Sequence, residues 1–411
     1  MTDLALSTRR FGRALAVLAV VAFASAVGAR AETADPVPVP PHLGDAGLAA
    51  AAERYRALQA RGGWTAIPDG PTLKIGDTSP RVERLRRRLA EEGYLAVAAA
   101  AAAGTPSRYD AGLAGAVIAF QRRNGLEPDA AVGRATLRAL NVTVAQRLAQ
   151  IELNRVRLRT LAEGLERRYV VINIADQRLE AVADDAVALS ARVIVGKPTT
   201  RTPVFASRID TVMFNPPWNV PVSIARNEIL PRLRRDPGYL DRENMIILDR
   251  PDDPYGHAID WRTVALGPFV NRLRQLPGDK NALGRVMFDF PNAYSVYLHD
   301  TPVKQLFERS PRLFSHGCMR LQNPLALARY LLSAQGWDDA RMQAAIDAGS
   351  TLRVALVQHM PIVVTYLTAF ADTEGAVQFR DDAYGWDAAG RTFAEEMRPG
   401  AAPEKVAACA G

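Results

Sequence analysis

The chain has 411 residues, of which 48% are apolar, 23% charged and 7% aromatic, and its formal charge is +7. That length implies two or three units, each able to bury a core. The composition excludes a collagen-like, disordered or disulfide-scaffold protein. No basic run is interleaved with aromatic residues, so nucleic acid is not an expected partner.

The first residues stand apart. Arg9, Arg10 and Arg13 precede an uncharged apolar run at 14–27, and Ala29-Arg30-Ala31 follows. A basic start, a short apolar stretch and a small-residue cleavage pattern read as a secretory signal peptide, residues 1–31, cut after Ala31. The run is short for a spanning helix, so no stable membrane span is expected after cleavage; an uncleaved anchor is the competing reading. Residues 1–31 carry four arginines and one aspartate, so their removal lowers the net charge from +7 to +4. That mild excess would suit an anionic polymer but is weak evidence for one. Two cysteines in an exported chain invite a disulfide. However, Cys409 lies in the alanine-rich tail "EKVAACAG", and a thiol is expected at Cys318.

Residues 32–70 read as a Pro-rich linker, "ADPVPVPP", followed by a helical flank at 48–60. Residues 71–141 read as a compact three-helix unit. "TSPRVERLRRRLAEEGYL" offers Thr78 or Ser79 as N-cap, Pro80 at the first helical position, an apolar face at Val82, Leu85 and Leu89, and Gly93 as a stop. "YDAGLAGAVIAFQRRNGL" and "DAAVGRATLRAL" supply the other two helices, and the alanine run at 96–103 is an insertion. Residues 142–166 form a connecting helix: Thr143 and Gln146 make a capping box, and Val144, Leu148, Ile151, Leu158 and Leu165 recur at helical spacing.

From Tyr169 the apolar period shifts from about 3.6 to 2. "RYVVINIADQRLEAV", "ARVIVGKPTTRTPVF", "DTVMFNPPWNVP", "GRVMFDF" and "YSVYLHD" read as strands, with helices at "PLALARYLLSA" and "DARMQAAIDAG" before a last strand, "STLRVALV". The polar, Pro-rich stretch 223–265 reads as a mobile lid insertion. The expectation is an α+β protein: a mostly β catalytic domain at 167–358 and a C-terminal segment and tail at 359–411, with no parallel βαβ rhythm.

"FSHGCMRL" carries the chemistry. A cysteine nucleophile acts as thiolate and needs a base placed by the fold. Of the five histidines, His42 lies in the linker, His257 in the lid and His359 at the end of a late strand, which leaves His316 and His299. His316, two residues before Cys318, is tied to the local turn. His299 ends a separate strand and can be aimed at the sulfur, with its other ring nitrogen held by the Asp300 carbonyl or side chain. Gly317 permits a tight turn and offers its amide to a developing oxyanion. Arg320 supplies a fixed charge for a substrate carboxylate or an internal acid. Tyr297 shares the strand face of His299, and Trp218 and Asn219 of "WNVP" are candidates for a substrate channel. On spacing alone H-G-C is also open to a structural histidine. A zinc site of His299, His316 and Cys318 lacks a CxxC or HExxH pattern.

"YLHDTP" followed by "FSHGCMRLQNP" resembles the L,D-transpeptidase catalytic family. "NPPWNVPVSIARNEILP", "RQLPGDKNALGRVMFDFPNAYSVYLHDTP" and "YLTAFADTEGAVQFRDDAYG" resemble its large periplasmic branch. Gly76-Asp77, Val82, Leu85, Leu89, Gly93-Tyr94, Phe120-Gln121, Gly125-Leu126, Asp129, Gly133, Thr136 and Leu140 are similar to the small peptidoglycan-binding module. The resemblance implies a β-sandwich-like catalytic fold with Cys318 as nucleophile and His299 as base, in a periplasmic protein inhibited by carbapenems. Ser315 and His316 of the motif would meet substrate. Many relatives carry a small residue where Asp300 stands and use only its backbone carbonyl. The implied partners are peptidoglycan stem peptides and glycan strands, and neither a metal nor an organic cofactor is implied. The implied reaction is 3→3 cross-linking of stems through a thioester. An L,D-carboxypeptidase and a non-catalytic wall-binding protein are the alternatives.

Overall fold

The computed structural model describes residues 44–96, 106–163, 165–264, 272–372 and 374–394. The expected signal peptide, residues 97–103 of the alanine run and Cys409 lie outside them. Among the described residues, no helix is long and apolar enough to cross a membrane.

The three-helix unit is formed by α2 (Pro80–Glu91), α3 (Ala111–Arg123) and α4 (Arg134–Leu140), after an earlier helix, α1 (Asp45–Ala60). Ser79 caps α2 by accepting from the Arg81 N–H, and Asp110 caps α3 by accepting from the Leu113 N–H. The apolar faces these caps start, Val82, Leu85 and Leu89 with Leu113, Val117 and Phe120, meet Leu137 and Leu140 in one core. The capping box of Thr143 and Gln146 opens α5 (Val144–Ala162). Helices α1 and α5 do not join that core. They share a second one with Tyr169, Val171, Val182 and Val363 of the sheet. The flank read as a linker appendage is therefore cover for the catalytic domain.

Nine strands make one mixed sheet: β1 (Arg168–Asn173), β2 (Arg178–Ala183), β3 (Ala186–Gly196), β4 (Phe205–Phe214), β8 (Val286–Asp289), β9 (Leu298–His299), β10 (Leu313–Ser315), β11 (Met319–Leu321) and β12 (Leu352–Thr365). Their order is β10-β3-β11-β9-β8-β4-β12-β1-β2, and β2 pairs again with β3. The first half of β3 binds β2, while its end binds β11 and β10. The sheet thus closes on itself around the largest core, which helix α6 (Pro324–Leu332) helps to fill with Leu327, Ala328, Leu331 and Leu332.

Two expected boundaries are corrected. A division at 358/359 would cut β12, an interior strand between β4 and β1. Its first half is exposed and a register shift falls between Ala355 and Met360, which broke the alternation that would have extended it. Beyond it Tyr366, Tyr384, Trp386 and Phe393 enter the largest core, so the catalytic unit continues to the end of the described chain. The stretch at 223–265 was expected to be a polar lid insertion rather than core strands. It belongs to a folded unit in which β5 (Trp218–Asn219), β7 (Leu273–Gln275) and β6 (Met245–Ile247) form a sheet. Val220, Ile229, Leu230, Leu233, Leu240, Trp261 and Leu273 give it a core of its own. Its apolar residues are diluted by surface arginine, aspartate and proline, which hid them.

Candidate active site

Strand β11 lies between β3 and β9, and its parallel register with β9 pairs Met319 with Leu298 and Arg320 with His299. One residue earlier, Cys318 stands beside Tyr297. The Met319 N–H donates to the Tyr297 carbonyl at 2.9 Å, and the Tyr297 N–H donates to Cys318 Sγ at 3.4 Å. Alternate residues share a strand face, so this register brings Tyr297, His299, Cys318 and Arg320 to one side. Cys318 is in no disulfide among the described residues.

His299 Nδ1 lies 2.5 Å from the Asp300 carbonyl oxygen. A carbonyl only accepts, so Nδ1 carries the proton; the Leu283 backbone also bonds the ring, and Nε2 is the nitrogen that remains to act as base. Burial, reinforced by the Arg320 charge, pushes the imidazole down to about 3. It is therefore neutral at physiological pH, the state a general base requires.

Of the two orienting groups expected from Asp300, only the carbonyl reaches the ring. The carboxylate turns away: Oδ2 accepts from the Arg285 N–H at 2.9 Å, and Oδ1 pairs with the Lys304 ammonium. The backbone at Gly284 makes room for it. Gly284 has φ +64°, and a Cβ there would fall 2.4 Å from the Asp300 carboxyl.

The loop carrying Cys318 is held from within and from behind. Gly317 has φ +120°, a conformation that favours glycine. Its N–H, expected to face an oxyanion, donates instead to Ser315 Oγ at 3.1 Å. Ser315, expected to meet substrate, is buried, and its hydroxyl donates to the Cys318 carbonyl at 2.6 Å. Behind the loop, the Thr202 hydroxyl donates to the Gly317 carbonyl at 2.7 Å and accepts from the Gly196 N–H at 2.9 Å. Tyr384 holds that junction, donating to the Gly196 carbonyl at 2.7 Å and accepting from the Thr202 N–H at 3.2 Å. Sequence reasoning missed Thr202 and Tyr384, because neither carries a charge, a period or a nucleophile to draw notice.

The remaining candidates divide. His316 Nε2 lies 2.7 Å from Glu228 Oε1, which belongs to a π-helical turn, Ala225–Ile229, of the lid unit. Trp218 packs against Met213, Leu283 and Met287, the same cluster that Tyr297 packs against. Asn219 does not: it is exposed, and its Oδ1 accepts from Arg274 Nε at 2.8 Å across the lid sheet. His257 is also committed to the lid unit, 2.9 Å from Asp241, and His359 is exposed on β12.

Residues 167–354 match the model of the L,D-transpeptidase catalytic domain family, YkuD. Over that stretch the chain is similar to the L,D-transpeptidase catalytic domain. Residues 78–140 match the peptidoglycan binding domain family. A curated protein named "Putative L,D-transpeptidase" from Haemophilus influenzae is 34% identical over 245 residues. That match covers 59% of this chain and 48% of the relative, so the chain spans about half the length of that protein. Among solved structures, an L,D-transpeptidase from Xylanimonas cellulosilytica is 17% identical and covers 72% of this chain and 98% of its own, with a TM-score of 0.23. Another from Stackebrandtia nassauensis is 14% identical and covers 73% and 96%, with a TM-score of 0.24. At such scores the fold rests on the strand topology itself. The matched L,D-transpeptidase region contains Thr202 but stops thirty residues before Tyr384.

Proposed function

We propose that this protein is an exported, periplasmic peptidoglycan L,D-transpeptidase that forms 3→3 cross-links through a thioester on Cys318. The observation that carries this reading is the β9–β11 register. It puts Cys318 and a buried imidazole on one face of adjacent strands, two residues apart in register, and the Nδ1 of that imidazole is engaged by a carbonyl. In the first step the Cys318 proton passes to His299 Nε2 as sulfur attacks the carbonyl of the third residue of a tetrapeptide stem. The bond to the terminal D-alanine then breaks, and its nitrogen leaves with the proton held by His299. In the second step the side-chain amine of another stem gives a proton to His299 and attacks the thioester. The carbon–sulfur bond breaks, and the sulfur recovers the proton.

Burial and the neighbouring Arg320 charge disfavour a standing imidazolium, so proton transfer accompanies attack. The Gly317 amide can meet the oxyanion only by exchanging its bond to Ser315 Oγ. Cys318 and His299 are only 5% and 4% exposed, and the unit that reaches His316 through Glu228 is the element expected to move when substrate enters.

Mass spectrometry of disaccharide-tetrapeptides incubated with the purified protein tests the reading. The expected product is a cross-linked dimer lacking one D-alanine, and a carbapenem should add its mass to Cys318. Cys318→Ala should do neither. Tripeptide monomers alone would identify an L,D-carboxypeptidase. Unchanged stems and an unmodified Cys318 would leave a wall-binding protein without catalysis.

A further inference from the structure

A groove of about 1360 Å³ separates the helical module from the catalytic domain, and residues of both line it. It is distinct from the active site, since none of Tyr297, His299, Cys318 and Arg320 is among its walls. It nevertheless abuts the motif, because Leu313 of β10 and Tyr384 both line it. Pockets for single small molecules enclose roughly 300–1000 Å³. This one suits a segment of polymer.

Its walls are fixed relative to each other. Arg380 Nη1 donates to the Arg123 carbonyl at 3.1 Å, and Arg147 Nη2 donates to Asn124 Oδ1 at 2.7 Å. Arg147 also stacks over Phe379, 4.2 Å from the ring centroid.

The charge along the groove is specific. Lys74, Arg134 and Arg138 on the module side and Arg309 on the other carry no ion-pair partner among the described residues. Four carboxylates line it without an ion-pair partner among the described residues: Glu127 and Asp381, whose side chains make no hydrogen bond there either, and Asp129 and Asp382, which accept from Gln121 Nε2 and the Tyr366 hydroxyl. Of the other lining arginines, Arg178 and Arg380 share the one charge of Asp176, Arg192 pairs with Glu308, and Arg312 is held by the carbonyls of Val193, Arg309 and Gln177.

We propose that this groove is a second, non-catalytic docking site for an anionic peptide stem of the wall polymer. The four cations would receive stem carboxylates, and Glu127 and Asp381 the free amine of the diamino residue. The site would hold one strand of wall on the protein while Cys318 works on its neighbour. This inference rests on the peptidoglycan reading above.

Arg134→Glu/Arg138→Glu tests it on the full chain, since both side chains are exposed on α4. Co-sedimentation with purified sacculi should weaken by about tenfold or more, and wild-type retention should fall as salt rises. Wild type on sacculi with amidated stem carboxylates should lose as much. Arg309→Glu, on the opposite wall, should weaken retention in the same direction, while carbapenem acylation of Cys318 stays within about twofold in all variants. Retention equal to wild type in the double variant, or indifference to amidation, would overturn the proposal. So would an effect confined to α4, which would mean that the module binds without the groove. A wild-type Cys318 that fails to acylate would count against the thioester reading instead and leave the sedimentation result standing.

Discussion

Thr202 is fully buried, and its one hydroxyl satisfies two backbone groups, the Gly317 carbonyl and the Gly196 N–H. Thr202→Val keeps the shape and strands both, and leaving a buried polar group unsatisfied costs about 1–3 kcal/mol. Carbapenem acylation of Cys318 should then fall at least about tenfold, and Thr202→Ser should restore most of it. A valine variant that acylates at the wild-type rate would mean that the loop holds itself. At His299 the buried imidazole makes a sharper claim. His299→Ala should lose at least about two decades of acylation rate, the low end for a general base. The pH profile follows from the sign of the shift. A histidine pushed down to about 3 stays in its base form far below its ordinary value near 6.5, so the acidic limb of acylation should lie well under pH 6.5. The same burial makes the fold acid-sensitive: stability is full above the unfolded value near 6.5 and declines as pH falls from there toward 3, because only the unfolded chain can take up the proton. An acidic limb centred at 6.5 would mean a solvated ring. Cys318 and His299 could be singled out in sequence because the proposed nucleophile and base must be of those residue types. The roles of Ser315, Gly317 and Thr202 could not be, because each is decided by one hydrogen bond, and Thr202 finds its partner 115 residues away.

The lid unit is the element whose character changed most between sequence and structure. Its composition suggested a mobile polar insertion. Its core, built on Leu230, Leu233, Leu240 and Trp261, instead makes it a body that would swing as a whole. Its π-helical turn, a feature often found at functional sites, presents Glu228 to His316 beside the nucleophile. Both side chains are partly exposed, and such a pair contributes about 0–1 kcal/mol. Glu228→Gln should therefore speed carbapenem acylation by no more than about fivefold and raise amide hydrogen exchange across 222–233. Acylation of the wild type should slow exchange there. Unchanged exchange in both comparisons would make the unit a passive insertion. Helices with caps and punctuating glycines were readable because their signals are local. The length of β12 was not, because its bulge resets the alternation that sequence reading depends on.

At the scale of the molecule, the α+β class and the separate helical module were visible in composition and period. The closure of the sheet was not. The β1–β12 pairing joins Val170 to Ile362 in parallel, and nothing local in either strand names the other. The closed sheet is sealed by residues beyond its last strands: Tyr384 and Trp386 pack on Tyr366 at 5.5 and 4.9 Å between ring centroids, and Phe393 packs on Trp386 at 5.2 Å. A chain ended at residue 380 retains every strand and the whole matched L,D-transpeptidase region, yet loses these rings. Such a chain should melt non-cooperatively and leave Cys318 unacylated; a cooperative, acylating product would show the segment to be dispensable. That dependence has a consequence in time. A polypeptide is made from its N-terminus, so the thiol at 318 and the imidazole at 299 both exist before Tyr384 does. Until that tyrosine is in place, Gly196 and Thr202 lack its hydrogen bonds, and Cys318 is expected to react as an ordinary cysteine. The proposed nucleophile would thus be armed only once a residue 66 positions downstream of it has folded into place.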